Sequence, residues 1–468
     1  MSDPATDASP APMAQELARY AVETNYRALP DHVTGRAKMI IFDQLACGFV
    51  GGDLPAGRII ARYADAYRGA GEAAVFGLPG CRAPAPLAAL ANGTSGHADE
   101  FDSVHSTADF LATGHPAPVI VPAATAVAER QSSTGAELVN AVALGYDIGA
   151  RTISAAGGLK PMERQYGLYA GSFYSVGAAF SAARLLGLDQ RRTLYAAALA
   201  VNQGMNGFSF YVEKRHMSKA LFTSGQAAGA GVSGAILASL GFEATEDTFE
   251  GRGGILPAWG VPGREGELVR DLGREFTIMG ANFKFYSAGY PIHSAVEAAL
   301  FLKDRHGIQP ADIVRIEARL PEYPASVVDD RGMPSISLQH MVGAALVAGR
   351  LGFDETHSAT LLSDVEVLRL KSVVNLTGDP NFKVSQPRGA VVTIHLADGT
   401  VVEQHVEHPK GHRFREPQPG WTDLRDKWAD LLCSRIGEQR ADEFYRACLA
   451  IETIDDVRDL VGILVRPS

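Results

Sequence analysis

Apolar residues recur at helical spacing through most of this chain. Residues 13–28 and 33–50 place them three and four positions apart, which predicts amphipathic helices. Further helices are predicted over 172–190, 191–204 and 224–241, the last of which is rich in Ala and Gly. Because the distance between packed helices depends on the side chains between them, these small residues favour a tightly packed helical core.

The periodicity changes in the last third of the chain. The segment IVRIEARL at 313–320 alternates apolar and charged residues, as a half-buried strand does. Residues 390–406 contain two alternating runs around an Asp-Gly pair, a pattern typical of a β-hairpin. Helical spacing lies between them, at 336–352, and returns at 422–463. These patterns predict a mixed α+β unit inserted into a helical protein.

The predicted fold is therefore mostly α, with a large all-helical domain interrupted by a smaller α+β domain. We place the helical domain at 13–284, the α+β domain at 285–410 and a return to the helical domain at 411–468. Residues 1–12 are polar and lack the basic and apolar regions of a signal peptide. We expect them to form a flexible N-terminal tail.

The composition argues against several classes of protein. Among 468 residues there are 43 Lys and Arg against 53 Asp and Glu, and the net charge of −10 argues against a nucleic-acid partner. Cys47, Cys81, Cys433 and Cys448 form no Cys-x-x-Cys pair, which argues against a cysteine-based metal site or a disulfide framework and favours the cytoplasm. No apolar run is long enough to span a membrane, so no membrane partner is expected.

A first cluster of titratable residues lies between two apolar segments and contains His97, Glu100, Asp102, His105 and His115. His115 directly precedes an apolar helix, whose N-terminal dipole favours a neutral histidine and a nearby anion. This arrangement predicts a general base beside an anionic substrate. A solvated loop whose acids cap neighbouring helices is the alternative. No His-Glu-x-x-His spacing is present, so we expect no metal.

Two further clusters contain positive charge. Lys214, Arg215, His216 and Lys219 are either a solvated helix face or an anion site, because Arg and Lys bind carboxylates through charge-assisted hydrogen bonds. Lys219 adjoins the small-residue helix, and a lysine drawn inward can act as acid or base.

The third cluster contains Lys284 and His293, at the predicted join between the two domains. Clefts between domains are preferred ligand sites. A hinge with incidental polar residues is the alternative.

In this order, the three clusters resemble the signature of the MmgE/PrpD family, which includes 2-methylcitrate dehydratase, cis-aconitate decarboxylase and iminodisuccinate epimerase. The first family motif, NG…HAxDFDDTH…HP, is matched by Asn92, Gly93, His97, Glu100, Phe101, Asp102, His105, His115 and Pro116. The second, TKxLHxGxAA, is matched over 218–228 with one extra residue. The third, KxYPxxxxxHxxxDA, is matched by Lys284, Tyr286, His293, Glu297 and Ala298.

The resemblance implies a helical main domain with a smaller α+β lid domain, a homodimer, and chemistry without a cofactor or metal. It also implies that the first cluster lines one pocket for a small di- or tricarboxylic acid, together with Lys219 and Lys284. On this basis we expect His115, oriented by Asp102 or Glu100, to move a proton, and Lys219 to assist.

The other candidates have less direct roles. His105 is expected to help a leaving group depart. The side chains expected to bind the substrate are His97, Lys284, His293, Tyr166, Tyr290 and Lys214. Tyr166 is included because QYGLYAGS offers Tyr166 or Tyr169 where several family members have a histidine.

The reaction stays open among several alternatives. Dehydration, epimerisation and decarboxylation of such acids all place electron density beside a carboxylate. Glu100, Ser103 and Val104 depart from the family motif, so no member's reaction can be assigned directly. We rank dehydration first, as a common family reaction, then epimerisation of an amino-dicarboxylate such as iminodisuccinate, then cis-aconitate-type decarboxylation. A non-catalytic acid-binding protein is the remaining alternative.

Overall fold

The computed structural model describes residues 12–67, 69–107, 113–382 and 388–465. The predicted N-terminal tail lies outside them except for its last residue. The first part of the chain is helical, as predicted. Its helices are α1 (Met13–Glu23), α2 (Asp31–Gly51), α3 (Pro55–Ala66), α4 (Ala85–Gly96), α5 (Ala117–Gln131), α6 (Gly135–Ala155), α7 (Leu159–Tyr166), α8 (Tyr174–Leu185), α9 (Gln190–Gly204), α10 (Ser218–Ala220), α11 (Gln226–Ser239) and α12 (Ile255–Trp259).

The small residues of α11 allow the close packing that the sequence predicts. This helix packs against α4, α8 and α9. A Cβ atom on Gly234 would lie 2.5 Å from the carbonyl oxygen of Ala196, and one on Gly231 would collide with Ala178. Side chains at these positions would push the helices apart, so the glycines serve helix packing.

The predicted helix over 13–28 ends early, and the reason is local. Helix α1 stops at Glu23, and a short 3₁₀ turn follows at Tyr26–Ala28. The side chain of Asn25 accepts a hydrogen bond from the backbone N–H of Arg27 at 3.1 Å. Such a side-chain bond offers the backbone an alternative to continuing the helix.

Short strands interrupt the region that the sequence predicts to be helical throughout. They are β1 (Ala73–Ala74), β2 (Arg82–Ala83), β3 (Val104–Ser106), β4 (Thr113–Gly114) and β5 (Ala281–Asn282). Strands β4, β3 and β5 form one antiparallel sheet in that order. Strands of two or three residues contain too few positions to produce a recognisable alternation, which explains why the prediction missed them.

The α+β unit contains the predicted strand and hairpin. Its helices are α13 (His293–His306), α14 (Glu322–Val328), α15 (Leu338–Ala348), α16 (Phe353–His357), α17 (Ala359–Leu362) and α18 (Val365–Val373). Its strands are β6 (Ile313–Pro321), β7 (Val374–Asp379), β8 (Ala390–Leu396) and β9 (Val401–Val406), in the order β7-β6-β8-β9. Only the β6–β7 pair is parallel within this sheet. At the hairpin turn, Gly399 has φ 87°, a conformation that favours glycine.

The last helices return to the helical core. They are α19 (Trp421–Ile436), α20 (Glu438–Leu449) and α21 (Val457–Val465). Leu424, Trp428 and Phe444 are buried in the same apolar cluster as the early helices, whereas the sheet side has its own cluster. This confirms the mostly helical fold with a smaller α+β part. The domain boundaries at 285 and 410 stay predictions.

A buried ion pair between α19 and α2 lies against the first cluster. Lys427 Nζ lies 2.7 Å from Asp43 Oδ1, and both side chains are 1% exposed. The same ammonium group donates to the carbonyl oxygen of Phe101 at 2.8 Å. Lys427, in the last part of the chain, therefore holds the backbone between Glu100 and Asp102 in place.

Among the described residues, no helix is both long enough and apolar enough to cross a membrane. This agrees with the absence of long apolar runs in the sequence.

A buried glutamate in this core predicts how stability depends on pH. Burial raises the pKa of Glu129 to about 7, despite Arg82 at 3.2 Å. In the unfolded chain the pKa of a glutamate is about 4.3, so the folded state holds the proton of Glu129 more tightly than the unfolded state does. The free energy of unfolding is therefore highest below that pH and falls as the pH rises to about 7. We expect Glu129→Gln to remove this loss. Between pH 5 and 8 the wild type should lose on the order of 3 kcal/mol relative to the variant, since each pKa unit corresponds to about 1.36 kcal/mol.

Urea-induced unfolding at several pH values measures this difference. Glu243→Gln is a suitable control because Glu243 is exposed. Parallel stability–pH curves for the wild type and Glu129→Gln would contradict the prediction.

Candidate active site

The first cluster is buried, although its composition also fits a solvated loop. Helix α4 ends at Gly96, and the chain then turns into the protein interior. His97, Glu100 and Asp102 are 0%, 3% and 1% exposed. Burying ionisable side chains is costly unless they are paired, so the contacts of these three residues determine what the cluster does.

Asp102 bridges two histidines. Its Oδ1 lies 2.9 Å from Nδ1 of His97, and its Oδ2 lies 2.6 Å from Nδ1 of His115. The two imidazole rings are 4.4 Å apart at their centroids. Since Nδ1 of His115 contacts the carboxylate, Nε2 is the nitrogen left for a substrate.

Glu100 bridges two lysines that are distant in sequence. Lys284 Nζ donates to Oε2 of Glu100 at 3.0 Å, and Lys219 Nζ donates to Oε1. Lys219 Nζ also lies 3.1 Å from Nε2 of His97. The three sequence clusters therefore meet in one hydrogen-bonded network.

Local structure positions each lysine. Lys219 lies in α10, where Glu213 accepts hydrogen bonds from the backbone N–H groups of Ser218 at 2.9 Å and Lys219 at 2.7 Å. A carboxylate at this position satisfies the free N–H groups of the helix start. Lys284 follows β5, which the side chain of Asn282 ties to the Val104 carbonyl oxygen at 2.9 Å.

The network holds its carboxylates ionised. Burial alone would raise the pKa of Asp102, but the two histidines and Lys284 lower that pKa well below its usual range. Burial would also raise the pKa of Glu100, and the two lysines lower it well below its usual range. Burial would lower the pKa of Lys284, yet the two carboxylates raise it. Opposite charges at close range therefore outweigh desolvation for all three groups.

His97 is neutral in this setting. Burial lowers its pKa to about 4, although Asp102 acts in the opposite direction. A neutral imidazole has one N–H, and the Asp102 contact assigns it to Nδ1. Its Nε2 then accepts a hydrogen bond from Lys219, which fixes the direction of that ammonium group.

The same residues include two possible sets of metal ligands among the described part of the chain. They are His97, Asp102 and His115, and His97, Glu100 and His216, each with ligand atoms within 4.8 Å. Lys219 contacts both His97 and Glu100, and Lys284 contacts Glu100. A metal cation would have to displace these ammonium groups, so the arrangement suits hydrogen bonding to an acid better than metal binding.

A cavity of about 180 Å³ lies above the network, between the helical part and the α+β unit. Glu100, His115 and Lys219 contribute to its wall. The helical part also supplies Val104, Leu168, Tyr169, Phe208, Phe210 and Tyr211. The α+β unit supplies Gly289, Tyr290, Pro291, Tyr323, Val327, Arg331, Met333, Ile336 and Arg388. The cavity wall therefore combines charged residues of the network with aromatic side chains, the carboxylate of Glu163 and two arginines.

Several predicted site residues do not reach this cavity. His105 lies in β3 next to Val104, and adjacent strand residues point to opposite faces. Val104 faces the cavity, whereas His105 lines a separate polar pocket with Arg151 and Arg413. Burial lowers the pKa of His105 to about 3. The structure therefore does not bring His105 to the place where a leaving group would depart.

Three other predicted contacts are not part of the cavity wall. Lys214 is exposed, and Tyr166 is 40% exposed at the end of α7. His293 is fully buried and its Nε2 contacts the Ala288 carbonyl oxygen at 3.1 Å. Lys284 is equally buried and contacts Glu100. Of the predicted substrate-binding residues, Tyr290 lines the cavity directly.

Sequence reasoning missed Arg331 and Arg388, and it named Tyr169 and His216 without assigning them to the site. Tyr169, rather than Tyr166, lines the cavity, and both tyrosines were weighed on sequence grounds. His216 packs against His97 with ring centroids 5.1 Å apart. Arg331 and Arg388 line the cavity. No local motif surrounds the two arginines, so only the three-dimensional arrangement reveals them.

Comparison with family models decides the classification. The model of the MmgE/PrpD N-terminal domain matches residues 15–261, and that of the MmgE/PrpD C-terminal domain matches residues 286–451. The chain belongs to the MmgE/PrpD family. The resemblance inferred from the three motifs is thereby confirmed.

The MmgE/PrpD relatives of this chain include named decarboxylases. A cis-aconitate decarboxylase-like protein, oryM, of Aspergillus oryzae is 28% identical, over 98% of each chain. The cis-aconitate decarboxylase of Aspergillus terreus is 25% identical, over 97% of this chain and 96% of its own. The human cis-aconitate decarboxylase is 23% identical, over 94% and 92% respectively.

Proposed function

We propose that this MmgE/PrpD protein catalyses the decarboxylation of cis-aconitate without a cofactor. The observation that supports this most directly is the Asp102–His115 pair on the cavity wall, with Lys219 beside it. The full-length similarity to cis-aconitate decarboxylases supports the choice of substrate. Decarboxylation moves from third to first among the reactions that the sequence left open.

The reaction needs one proton and no oxidant. In cis-aconitate, the bond between the methylene carbon and its carboxylate breaks and releases CO₂. Its electron pair forms a new double bond, and the electrons of the old double bond take up a proton at the carbon beside another carboxylate. The products are CO₂ and an unsaturated dicarboxylate with a terminal methylene group.

The site residues suit these steps. His115 in its protonated form is the proton donor through Nε2, while ionised Asp102 holds Nδ1 and stabilises the imidazolium. Lys219 neutralises the carboxylate next to the carbon that receives the proton, where negative charge develops. Glu100 accepts hydrogen bonds from both Lys219 and Lys284, and this contact keeps the Lys219 ammonium group in place.

Dehydration is less well supported than the sequence alone indicated. Loss of hydroxide needs a second acid at the leaving group, and His105, the candidate for that role, lines the other pocket. Epimerisation remains an outcome of the test. The predicted homodimer and cytoplasmic location stay proposals.

Proton NMR in D₂O with purified protein tests the function. We expect cis-aconitate to give CO₂ and a product with two vinylic methylene protons and one deuterium at the neighbouring methylene carbon. EDTA should leave the rate unchanged. Citrate, 2-methylcitrate and iminodisuccinate are the comparison substrates. Water loss from 2-methylcitrate, or α-deuteration of iminodisuccinate, with cis-aconitate unchanged would overturn the proposal in favour of a dehydratase or an epimerase.

A further inference from the structure

The buried network does not offer surplus positive charge to a substrate. Its two lysines, Lys219 and Lys284, are matched by the ionised carboxylates of Glu100 and Asp102. A protonated His115 adds one positive charge. A tricarboxylate brings three negative charges into the cavity, so further cations are needed to compensate them.

Arg388 lines the cavity from the α+β unit, just before β8. Its guanidinium group stacks over the ring of Tyr290, with its central carbon 5.4 Å from the ring centroid. Within the described residues, the guanidinium contacts no carboxylate. Other arginines of the α+β unit differ: Arg319 and Arg369 each contact a glutamate, Glu403 and Glu366.

The guanidinium group of Arg331, the other arginine of the cavity wall, already donates hydrogen bonds to the backbone. Its Nη1 donates to the Val327 carbonyl oxygen at 3.1 Å, and its Nη2 donates to that of Tyr211. It therefore has fewer free N–H groups than Arg388 to offer to a ligand.

Tyr290 supplies a second unused donor beside Arg388. Its side chain is 4% exposed, and its hydroxyl group has no hydrogen-bond partner among the described residues. Burial raises the pKa of this phenol, so it stays a neutral O–H donor. A buried hydroxyl group left unpaired is costly, which is expected where a ligand completes the hydrogen bond.

We propose that Arg388 and Tyr290 form a distal carboxylate-binding site, which holds the substrate carboxylate farthest from His115. This inference rests on the proposed function in one respect, namely that the cavity is the substrate pocket. An arginine with a neighbouring hydroxyl group binds a carboxylate through charge-assisted hydrogen bonds. Because Arg388 adds a cation that the network does not supply, the distal site selects for acids that carry a third carboxylate.

Binding of two unreactive acids tests the distal site by isothermal titration calorimetry. Propane-1,2,3-tricarboxylate lacks the double bond of cis-aconitate, and 2-methylsuccinate lacks one terminal carboxylate as well. We expect the wild type to bind the tricarboxylate at least ~10-fold more tightly, as a charge-assisted hydrogen bond implies. In Arg388→Met the two acids should bind alike, and Arg388→Lys should give an intermediate ratio. Tyr290→Phe should reduce tricarboxylate affinity by about 2–10-fold.

Arg315→Met is a matched control, because Arg315 lies on the exposed face of β6 in the same unit. The inference would be overturned if the wild type bound the two acids with equal affinity. It would also be overturned if Arg388→Met kept the wild-type ratio of the two affinities. Both acids are inert, so this result stands whether or not cis-aconitate is decarboxylated. Conversely, decarboxylation with an unchanged binding ratio would leave the proposed function and reject the distal site.

Discussion

Replacing His115 by glutamine is expected to lower kcat for cis-aconitate by about 10²–10⁴-fold, the range typical of a lost general acid. Glutamine has similar size and keeps a polar group near Asp102, but it cannot deliver a proton. Affinity for propane-1,2,3-tricarboxylate should change by less than about threefold, because the carboxylate-binding groups remain. Steady-state kinetics and calorimetric titration of the same preparation separate the two effects.

His306→Gln is the control for this variant, since His306 is exposed at the end of α13. It should keep wild-type kinetics. If His115→Gln retained kcat within about threefold, proton delivery would have to come from another residue, and Lys219 would be the first to examine. If the variant lost affinity and kcat together, His115 would act mainly in binding.

Much of the fold could be predicted because long periodic segments dominate it. The helix α2 and the hairpin β8–β9 have patterns that tertiary contacts do not override. The short strands β3 and β5 could not be predicted, because they pair with each other across more than 170 residues, as in the Val104–Asn282 pair. Non-local pairing leaves little trace in a local sequence pattern.

The site was predictable where one motif contains both partners. His97, Asp102 and His115 lie in one motif, and the structure joins them through the two oxygens of one carboxylate. The assignment of His105 depended on which face of a strand it occupies. Since a one-residue change in position reverses the face, this could not be decided without knowing that 104–106 is a strand.

The sequence also did not show which of the motif residues line the cavity and which are buried behind it. Lys219 and Lys284 belong to equally clear motifs, yet one lines the cavity and the other is fully buried. Burial depends on the packing of β5 against β3, which brings Lys284 beneath Glu100. Motif membership therefore indicated that both lysines belong to the site, but not that they lie differently relative to the cavity.

Replacing Lys284 by methionine is expected to destabilise the protein by about 3–5 kcal/mol, the range for removing one partner of a buried ion pair. Methionine fills a similar volume but leaves the carboxylates of Glu100 and Asp102 with Lys219 as the remaining nearby ammonium group. Urea-induced unfolding at pH 7 measures this change. Lys303→Met, on α13, should cost less than about 0.5 kcal/mol, because the hydrogen bond that its ammonium group makes within the described part of the chain is long, 3.4 Å to the Ile308 carbonyl oxygen.

The charge balance of the network provides a sharper test of the same prediction. Adding Glu100→Gln to Lys284→Met removes one negative charge together with the positive one, so the double variant should be more stable than Lys284→Met alone. Lowering the pH should also narrow the gap between Lys284→Met and the wild type, because a buried carboxylate without its lysine takes up a proton more readily. The stability difference between Lys284→Met and the wild type could instead be independent of pH, with additive stability changes in the double variant. That result would show that Lys284 contributes by packing and not by charge. The ionised state of Glu100 and Asp102, on which the role of His115 depends, would then need another explanation.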